Sequence, residues 1–341
     1  MTTPQAARPP VIEVSDLSVR FPSLDSGSEV RAVDGVSFSI SQGETLGIIG
    51  ESGSGKSTIG RTLVGLLEPS DGELVFDGRS RASMSRREWR ARRRAFQMIF
   101  QDPDAALNPR MTILQSLVEP MKIAGGRSAA EMRDIALESL EKVGLRRDMA
   151  QRYRHELSGG QKQRVNIARI LPLDPKLVVC DEVVAALDVS IRGEVLNLFR
   201  EVQKELGLAY AFIAHDISVV AQISDRIAVT YLGRFVELGG TDDIIDRSLH
   251  PYTVALLSAE PQPLPPELRH RKRMVLEGDI PSPANPPSGC RFHTRCPWAT
   301  ALCAEKDPEW RELRPGHHVA CHHTTPEGLP PQPADRRPPT D

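Results

Sequence analysis

The chain has 341 residues, 40% of them hydrophobic, and its 43 Lys plus Arg stand against 45 Asp plus Glu for a formal net charge of −2. Such a composition supplies a buried core and excludes a wholly disordered chain. The near-balance of charge excludes a protein whose main task is to grip nucleic acid through a basic field, and no apolar run reaches the roughly 18 residues of a membrane span.

Met1 to Pro10 holds three prolines and no apolar segment, so it does not read as a secretory signal. These features predict a soluble or peripheral protein kept in the cytosol. From Val11 to about Leu238, apolar runs alternate with helical patterns, which predicts an α/β domain without internal repeats. The run from Glu44 to Ile49 reads as a buried strand. It leads into Gly50-Glu51-Ser52-Gly53-Ser54-Gly55-Lys56-Ser57, which fits the P-loop pattern and opens a predicted helix. Glycines let backbone N–H groups curl round phosphate oxygens, and the helix N-terminus adds a favourable dipole. Lys56 is expected to reach the β- and γ-phosphates, Ser57 to ligate Mg²⁺, and Thr58 to belong to the same site.

Arg86, Arg87, Arg90 and Arg92 to Arg94 form the densest basic stretch, read as the solvated face of a short helix before a strand from Phe96 to Phe100. Thr112 to Val143 and Gly160 to Leu171 look helical, and Pro172 is expected to end the second run. Leu177 to Cys180 is a second buried strand that delivers Asp181 and Glu182 to its carboxyl end, where ligands of open α/β sheets gather. Asp181 is placed to hold Mg²⁺ and Glu182 to polarise an attacking water. Cys180 reads as a core residue. Ala209 to Ala214 is a third buried strand, followed by His215.

After Thr241 the texture changes. Asp242 to Asp246 and Tyr252 to Ala259 read as two short helices, and Pro261 to Pro266 as a stiff linker. Cys290, Cys296, Cys303 and Cys321 then crowd into one segment, with His293, His317, His318, His322 and His323 nearby. In a reducing compartment such a cluster points to a metal before disulfides. An iron–sulfur cluster, zinc with mixed ligands and a packed module of reduced thiols all remain open, and a structural role is expected in each case. Thr324 to Asp341, rich in proline and charge, is expected to be a disordered tail.

Leu157-Ser158-Gly159-Gly160-Gln161 closely resembles the signature of ATP-binding cassette (ABC) ATPases. The other motifs of that family follow in order. Gln101 resembles the Q-loop glutamine, which touches Mg²⁺ and links the ATP site to a transmembrane partner. Asp188 resembles the D-loop aspartate, His215 the switch histidine at the γ-phosphate, and Phe21 the aromatic residue that stacks on adenine ahead of a variable loop from Pro22 to Val30. Phe100 to Pro103, Leu107 to Thr112, His155 to Ser158 and His250 to Thr253 look like the oligopeptide, dipeptide and nickel importer branch, as do the segments around the four cysteines.

The resemblance runs from about Val11 to His323. It implies an α/β ABC-type P-loop ATPase domain over 11–240, with a RecA-like core, an antiparallel β subdomain and a helical subdomain at about 102–172. A C-terminal extension over 241–323, with its four-cysteine segment at 290–321, and a tail at 324–341 complete the chain. It also implies a peripheral ATPase subunit of an importer at the cytoplasmic face of the cell membrane. ATP and Mg²⁺ would be the cofactors, and the cysteine segment would match one that holds a [4Fe–4S] cluster in this branch. Catalysis would rest on Glu182, His215, Gln101 and Lys56, with Ser158, Gly159, Gly160 and Gln161 acting on ATP held by the opposing cassette. The implied partners are two permease subunits, a second and related cassette, and an extracytoplasmic solute-binding protein, with no nucleic acid. Val183, Val184 and Ala185 depart from the pattern, where the family usually has Pro and then small polar residues, as do Arg154 and Pro172. None removes a group that acts on phosphate, and the packing of the loop after Glu182 is the feature most exposed to the change. An ABC ATPase acting on DNA or ribosomes, and a nucleotide-binding subunit that leaves hydrolysis to its partner, are the rival readings.

Overall fold

The apolar runs of the sequence become strands of one sheet in the computed structural model, which describes residues 9–22, 29–259, 274 and 276–331. β1 (Pro10–Pro22) and β2 (Glu29–Ser41) pair antiparallel, and β3 (Thr45–Ile49) leads through the P-loop into α1 (Lys56–Leu63). β4 (Asp71–Phe76) and β5 (Arg79–Ser80) join β1 and β2 in a four-stranded antiparallel sheet of order β2-β1-β4-β5. α2 (Arg86–Arg92) is capped by a Ser85–Glu88 capping box. It precedes β6 (Phe96–Ile99).

The run from Thr112 to Val143 is divided into α3 (Ile113–Ala124) and α4 (Ala129–Lys142). Gly125 and Gly126 take φ of +73° and +85° there, in the left-handed region that ends a helix. α5 (Gly159–Ile170) packs on both and stops at a 3₁₀ turn that contains Pro172. β7 (Leu177–Asp181), α6 (Val189–Leu206), β8 (Ala209–Ile213), α7 (Ile217–Ile223), β9 (Arg226–Tyr231) and β10 (Arg234–Gly240) complete the cassette. α8 (Thr241–Asp246), α9 (Pro251–Ala259), α10 (Ala301–Glu305), β11 (Arg311–Arg314) and β12 (His317–Val319) form the extension.

The large sheet has the order β11-β12-β10-β9-β3-β8-β7-β6. The five strands from β9 to β6 are parallel, and every residue of β3, β7 and β8 is buried. Burial on both faces explains why these runs are continuously apolar rather than alternating. Along β7, Val178 and Cys180 enter one core cluster and Leu177 and Val179 the other. Cys180 is thus a core residue.

The extension is built into the same sheet. β12 pairs with β10, setting Glu237 opposite Val319. Glu237 and His317 are both fully buried, and the Glu237 carboxylate accepts from the His317 ring at 2.8 Å and from the backbone N–H groups of Leu249 and His250. The expected linker from Pro261 to Pro266 lies outside the described residues. Thr324 to Pro331, expected to begin a disordered tail, instead carries contacts. Thr324 is buried, and the Trp298 indole donates to the Pro330 carbonyl at 3.0 Å. Residues 332–341 lie outside the described residues. Among the described residues, no helix is long and apolar enough to cross a membrane.

Removing the Glu237 carboxylate strands two buried backbone N–H groups and a buried ring. Glu237→Ala is expected to lower unfolding stability by about 3 kcal/mol, read from the urea midpoint. A loss below about 1 kcal/mol would mean that the extension docks by other contacts.

Candidate functional site

The carboxyl edge of β3 launches a loop with almost no room for side chains. A Cβ on Gly50 would lie 2.2 Å from the Thr230 carbonyl oxygen, and one on Gly55 2.2 Å from that of Ala32. Both glycines have φ in the range closed to most L residues, +152° and +102°. The loop is tied from within by Ser54 N–H donating to the Glu51 carbonyl at 3.2 Å, and from outside by Gly233 N–H donating to the Ser54 carbonyl at 2.9 Å. Ser52 and Gly53 are exposed at its crest, and Thr58 follows Lys56 and Ser57 in the first turn of α1.

Lys56 is buried and donates to the carbonyls of Gly50 at 2.7 Å and Glu51 at 2.9 Å. Burial lowers the affinity of its ammonium for the proton, against the opposing pull of Glu182, Asp181 and Glu51. Ser57 Oγ donates to Asp181 Oδ1 at 2.9 Å, which joins the P-loop helix to the end of β7. Burial raises the Asp181 carboxyl above its usual range, opposed by that hydrogen bond and by Arg61 and Lys56. A hydroxyl and a carboxylate, both hard oxygen donors already adjacent, fit Mg²⁺.

Glu182 follows with φ of +51°, an uncommon conformation for a non-glycine residue. Its N–H donates to the Ile213 carbonyl at 2.9 Å, which pins it beside the end of β8. Gln101, just after β6, donates from Nε2 to Glu182 Oε2 at 2.8 Å, and His215 Nδ1 lies 3.8 Å from Glu182 Oε1. Val183 and Val184 are buried in the larger core cluster, so apolar packing anchors the loop after Glu182. Arg154 donates to the Leu107 and Asp104 carbonyls, and the Pro172 carbonyl accepts from Arg127 at 2.9 Å.

Lys56, Ser57, Gln101, Asp181, Glu182 and His215 therefore meet at one sheet edge. The signature does not join them within this chain. Ser158 caps α5, exchanging hydrogen bonds with Gln161, and both it and Gly159 are exposed. Gly160 is buried against Ile191, where a Cβ would lie 2.7 Å from Cγ2. Asp188 is exposed at the start of α6 without a side-chain capping bond. Phe21 is partly exposed at the end of β1, opposite Val30, and most of the loop between them lies outside the described residues. The basic stretch is only partly a solvated face, because Arg92 bonds to Asp77 and Arg93 to the Val64 carbonyl.

Sequence reasoning missed that Tyr252 and Arg295 of the extension touch the P-loop. Glu51 N–H donates to the Tyr252 hydroxyl at 2.9 Å, and the Glu51 carboxylate accepts two bonds from Arg295 at 2.8 and 3.0 Å. The Arg295 guanidinium lies 6.0 Å from the centre of the Tyr231 ring, within a cluster of Tyr231, Tyr252 and Phe292. No local signal marks these partners, since Arg295 stands 244 residues from Glu51.

The four cysteines are gathered into one module as free thiols. Burial pushes the thiols of Cys290 up to about 11 and Cys296 up to about 12, and raises that of Cys321. Cys303 Sγ lies 3.2 Å from His323 Nε2. His317 is committed to Glu237, His322 to the Lys306 carbonyl, His293 to the Cys290 carbonyl, and His318 stacks on Trp310. Among the described residues, no group of three or more His, Cys, Asp or Glu is arranged to hold a metal ion. Nothing among the described residues therefore marks the expected [4Fe–4S] cluster or its zinc alternative.

Two family models match the chain. "ABC transporter" covers residues 33–185, and "Oligopeptide/dipeptide transporter, C-terminal region" covers 236–303. The chain is 49% identical to the oligopeptide transport ATP-binding protein AppF of Bacillus subtilis, over 92% of its own length and 97% of that protein's. It is 50% identical to a putative peptide import ATP-binding protein of Brucella ovis, over 92% and 97% of the two chains. Among solved structures, the dimeric bacterial ABC transporter cassette MJ0796 matches with a TM-score of 0.60 at 29% identity, over 67% of this chain and 98% of that one.

Gly55→Ala is expected to abolish detectable ATP binding and to destabilise the fold by about 2 kcal/mol, because strain and a clash with the Ala32 carbonyl coincide. Wild-type affinity in that variant, by calorimetric titration, would mean that the loop has more room than its geometry indicates.

Proposed function

The chain belongs to the ABC transporter ATP-binding family, in its oligopeptide/dipeptide branch, and on that premise we propose that it is the ATP-hydrolysing subunit of an importer for di- or oligopeptides or a similarly small solute. The observation that carries this reading is the convergence of Lys56, Ser57, Asp181, Glu182, Gln101 and His215 at one sheet edge. Lys56, folded onto the Gly50 and Glu51 carbonyls, turns its charge to the β- and γ-phosphates of ATP. Ser57, Asp181 and Gln101 would hold Mg²⁺, which when bound neutralises charge on the phosphate oxygens. Glu182 polarises the attacking water, Gln101 orients Glu182, and His215 contacts the γ-phosphate. The residues work by positioning and by stabilising charge, as phosphoryl transfer requires.

The site is completed in trans. Ser158 and Gly159 are exposed at the N-terminus of α5, where the local N–H groups suit an anion. They act on ATP held by the P-loop of an opposing cassette, with Asp188 at the same interface. The dimeric cassette to which the chain is similar supports a paired assembly. The second cassette is proposed to be a related but different chain. A groove lined by Arg90, Arg93, Arg94, Phe100, Pro120 and Ile123 lies just before Gln101, and its exposed apolar residues support it as the permease contact. Two permease subunits, an extracytoplasmic solute-binding protein and a peripheral place at the cytoplasmic face of the membrane complete the proposed assembly. Phe21 is proposed to stack on adenine.

A structural role is proposed for the four-cysteine segment. Metal analysis of the purified protein separates its forms: stoichiometric iron supports a cluster, zinc supports mixed ligation, and neither leaves packed thiols. In the last case Cys296→Ser should lower the melting temperature without altering ATP binding.

Glu182→Gln is expected to keep ATP affinity, to accumulate the ATP-bound cassette pair, and to lose hydrolysis by about a hundredfold or more. Single-turnover hydrolysis in the assembled complex checks this. Near-normal turnover would remove Glu182 from its role and favour a regulatory subunit.

A further inference from the structure

Two residues of the C-terminal extension hold Glu51 of the P-loop through three hydrogen bonds. Glu51 is the first residue after Gly50, and its carbonyl accepts from both Ser54 N–H and Lys56 Nζ. Where Glu51 sits therefore sets where the loop closes and where the lysine rests. Its N–H is taken by the Tyr252 hydroxyl of α9, and its carboxylate by both terminal nitrogens of Arg295. The Arg295 side chain is only 8% exposed, packed in the module between Cys290 and Cys303. A guanidinium fork on a carboxylate fixes direction as well as distance, which a single charge does not.

The P-loop has reason to need such a brace. Gly50, Gly53 and Gly55 give it no side chains to pack, and glycine loses more freedom on ordering than any other residue. A loop already tied at its start loses less entropy when it closes on phosphate.

We propose that Arg295, with Tyr252, is a positioning residue for the ATP site, holding the P-loop through Glu51 in its phosphate-binding shape. The proposal rests on the ATPase reading above and adds that the extension sets nucleotide affinity. Arg295 acts through Glu51 and touches no reacting atom, so it governs binding more than chemistry.

The test uses the full chain, with ATP affinity by calorimetric titration, KM and kcat in the assembled complex, and hydrogen exchange at the P-loop amides. Arg295→Ala should raise Kd and KM about 5- to 10-fold, lower kcat less than about 2-fold, and speed exchange at Glu51 to Gly55. Arg295→Lys should restore part of the affinity. Tyr252→Phe keeps the ring in its cluster and should raise Kd about 2- to 3-fold, so it decides the matter if Arg295→Ala does not fold. In a Glu51→Gln background, Arg295→Ala should add little, because both act through one contact. The proposal is overturned if folded Arg295→Ala binds ATP within about 2-fold of wild type, if Arg295→Ala does not fold and Tyr252→Phe binds ATP as wild type does, if the Glu51 and Arg295 effects add, or if kcat falls with Kd unchanged. Failure of the ATPase reading looks different: wild type itself then binds no ATP, and the positioning role falls with it.

Discussion

A strand that is buried on both faces and hydrogen-bonded on both edges has one position open to it. β3 is such a strand, with all five residues from Thr45 to Ile49 buried and its neighbours β8 and β9 both parallel to it. A slip by one residue would exchange Leu46 and Ile48, in one core cluster, with Ile49, in the other, and would bring the small Gly47 into the wrong layer. Each apolar side chain buried there contributes about 1.5–3 kcal/mol, so the register is strongly held. The P-loop starts where β3 ends. Asp181 ends β7 and His215 follows the end of β8, so the reactive edge inherits the register of the sheet.

That edge is electrostatically unfinished. Lys56 and Asp181 are both buried, and burial works against the charge on each. Their mutual attraction, the Ser57 hydrogen bond and the carbonyls around Lys56 offset part of that penalty. Glu182 adds a second carboxylate beside them, held in an unusual backbone conformation and bonded to Gln101. A polyanion with a divalent cation satisfies such an arrangement better than water does, because it brings both signs of charge in fixed geometry. The pieces that would act on the far side of the γ-phosphate, Ser158 and Gly159, face outward. Under the proposed function, the chain carries both halves of a site that a second cassette would complete.

The extension is structurally part of the cassette. β12 lengthens the central sheet, and the buried Glu237 ties it to α9 and to His317. Asp34 of β2 meets Arg234 of β10 and Arg291 of the cysteine module, so a third segment is fastened at the same corner. Buried charges of this kind demand partners, since a carboxylate left alone in the interior is heavily penalised. The network therefore locks the extension in one orientation, and that orientation brings Tyr252 and Arg295 to the P-loop.

The local motifs are legible in the chain alone. Apolar runs at Glu44–Ile49, Leu177–Cys180 and Ala209–Ala214 are strands because continuous burial needs continuous apolarity; the structure shortens the first and third by a residue and extends the second by one. The P-loop was legible because its glycines are demanded by the chain's own backbone geometry, a local property. The break at Gly125 was overlooked within a longer helical pattern, although two successive glycines signalled it. The meeting of distant groups is a product of tertiary folding. Gln101 and Glu182 are 81 residues apart, and Glu51 and Arg295 are 244 apart. Tertiary folding also decided that His317, His322, His293 and His318 engage a carboxylate, backbone carbonyls and a ring, while His323 faces the Cys303 thiol. Spacing along a chain constrains contacts within a helix, a strand or a turn. Between elements, contact is set by sheet order and by the pairing of buried charges, and neither has a signature in any short stretch of sequence.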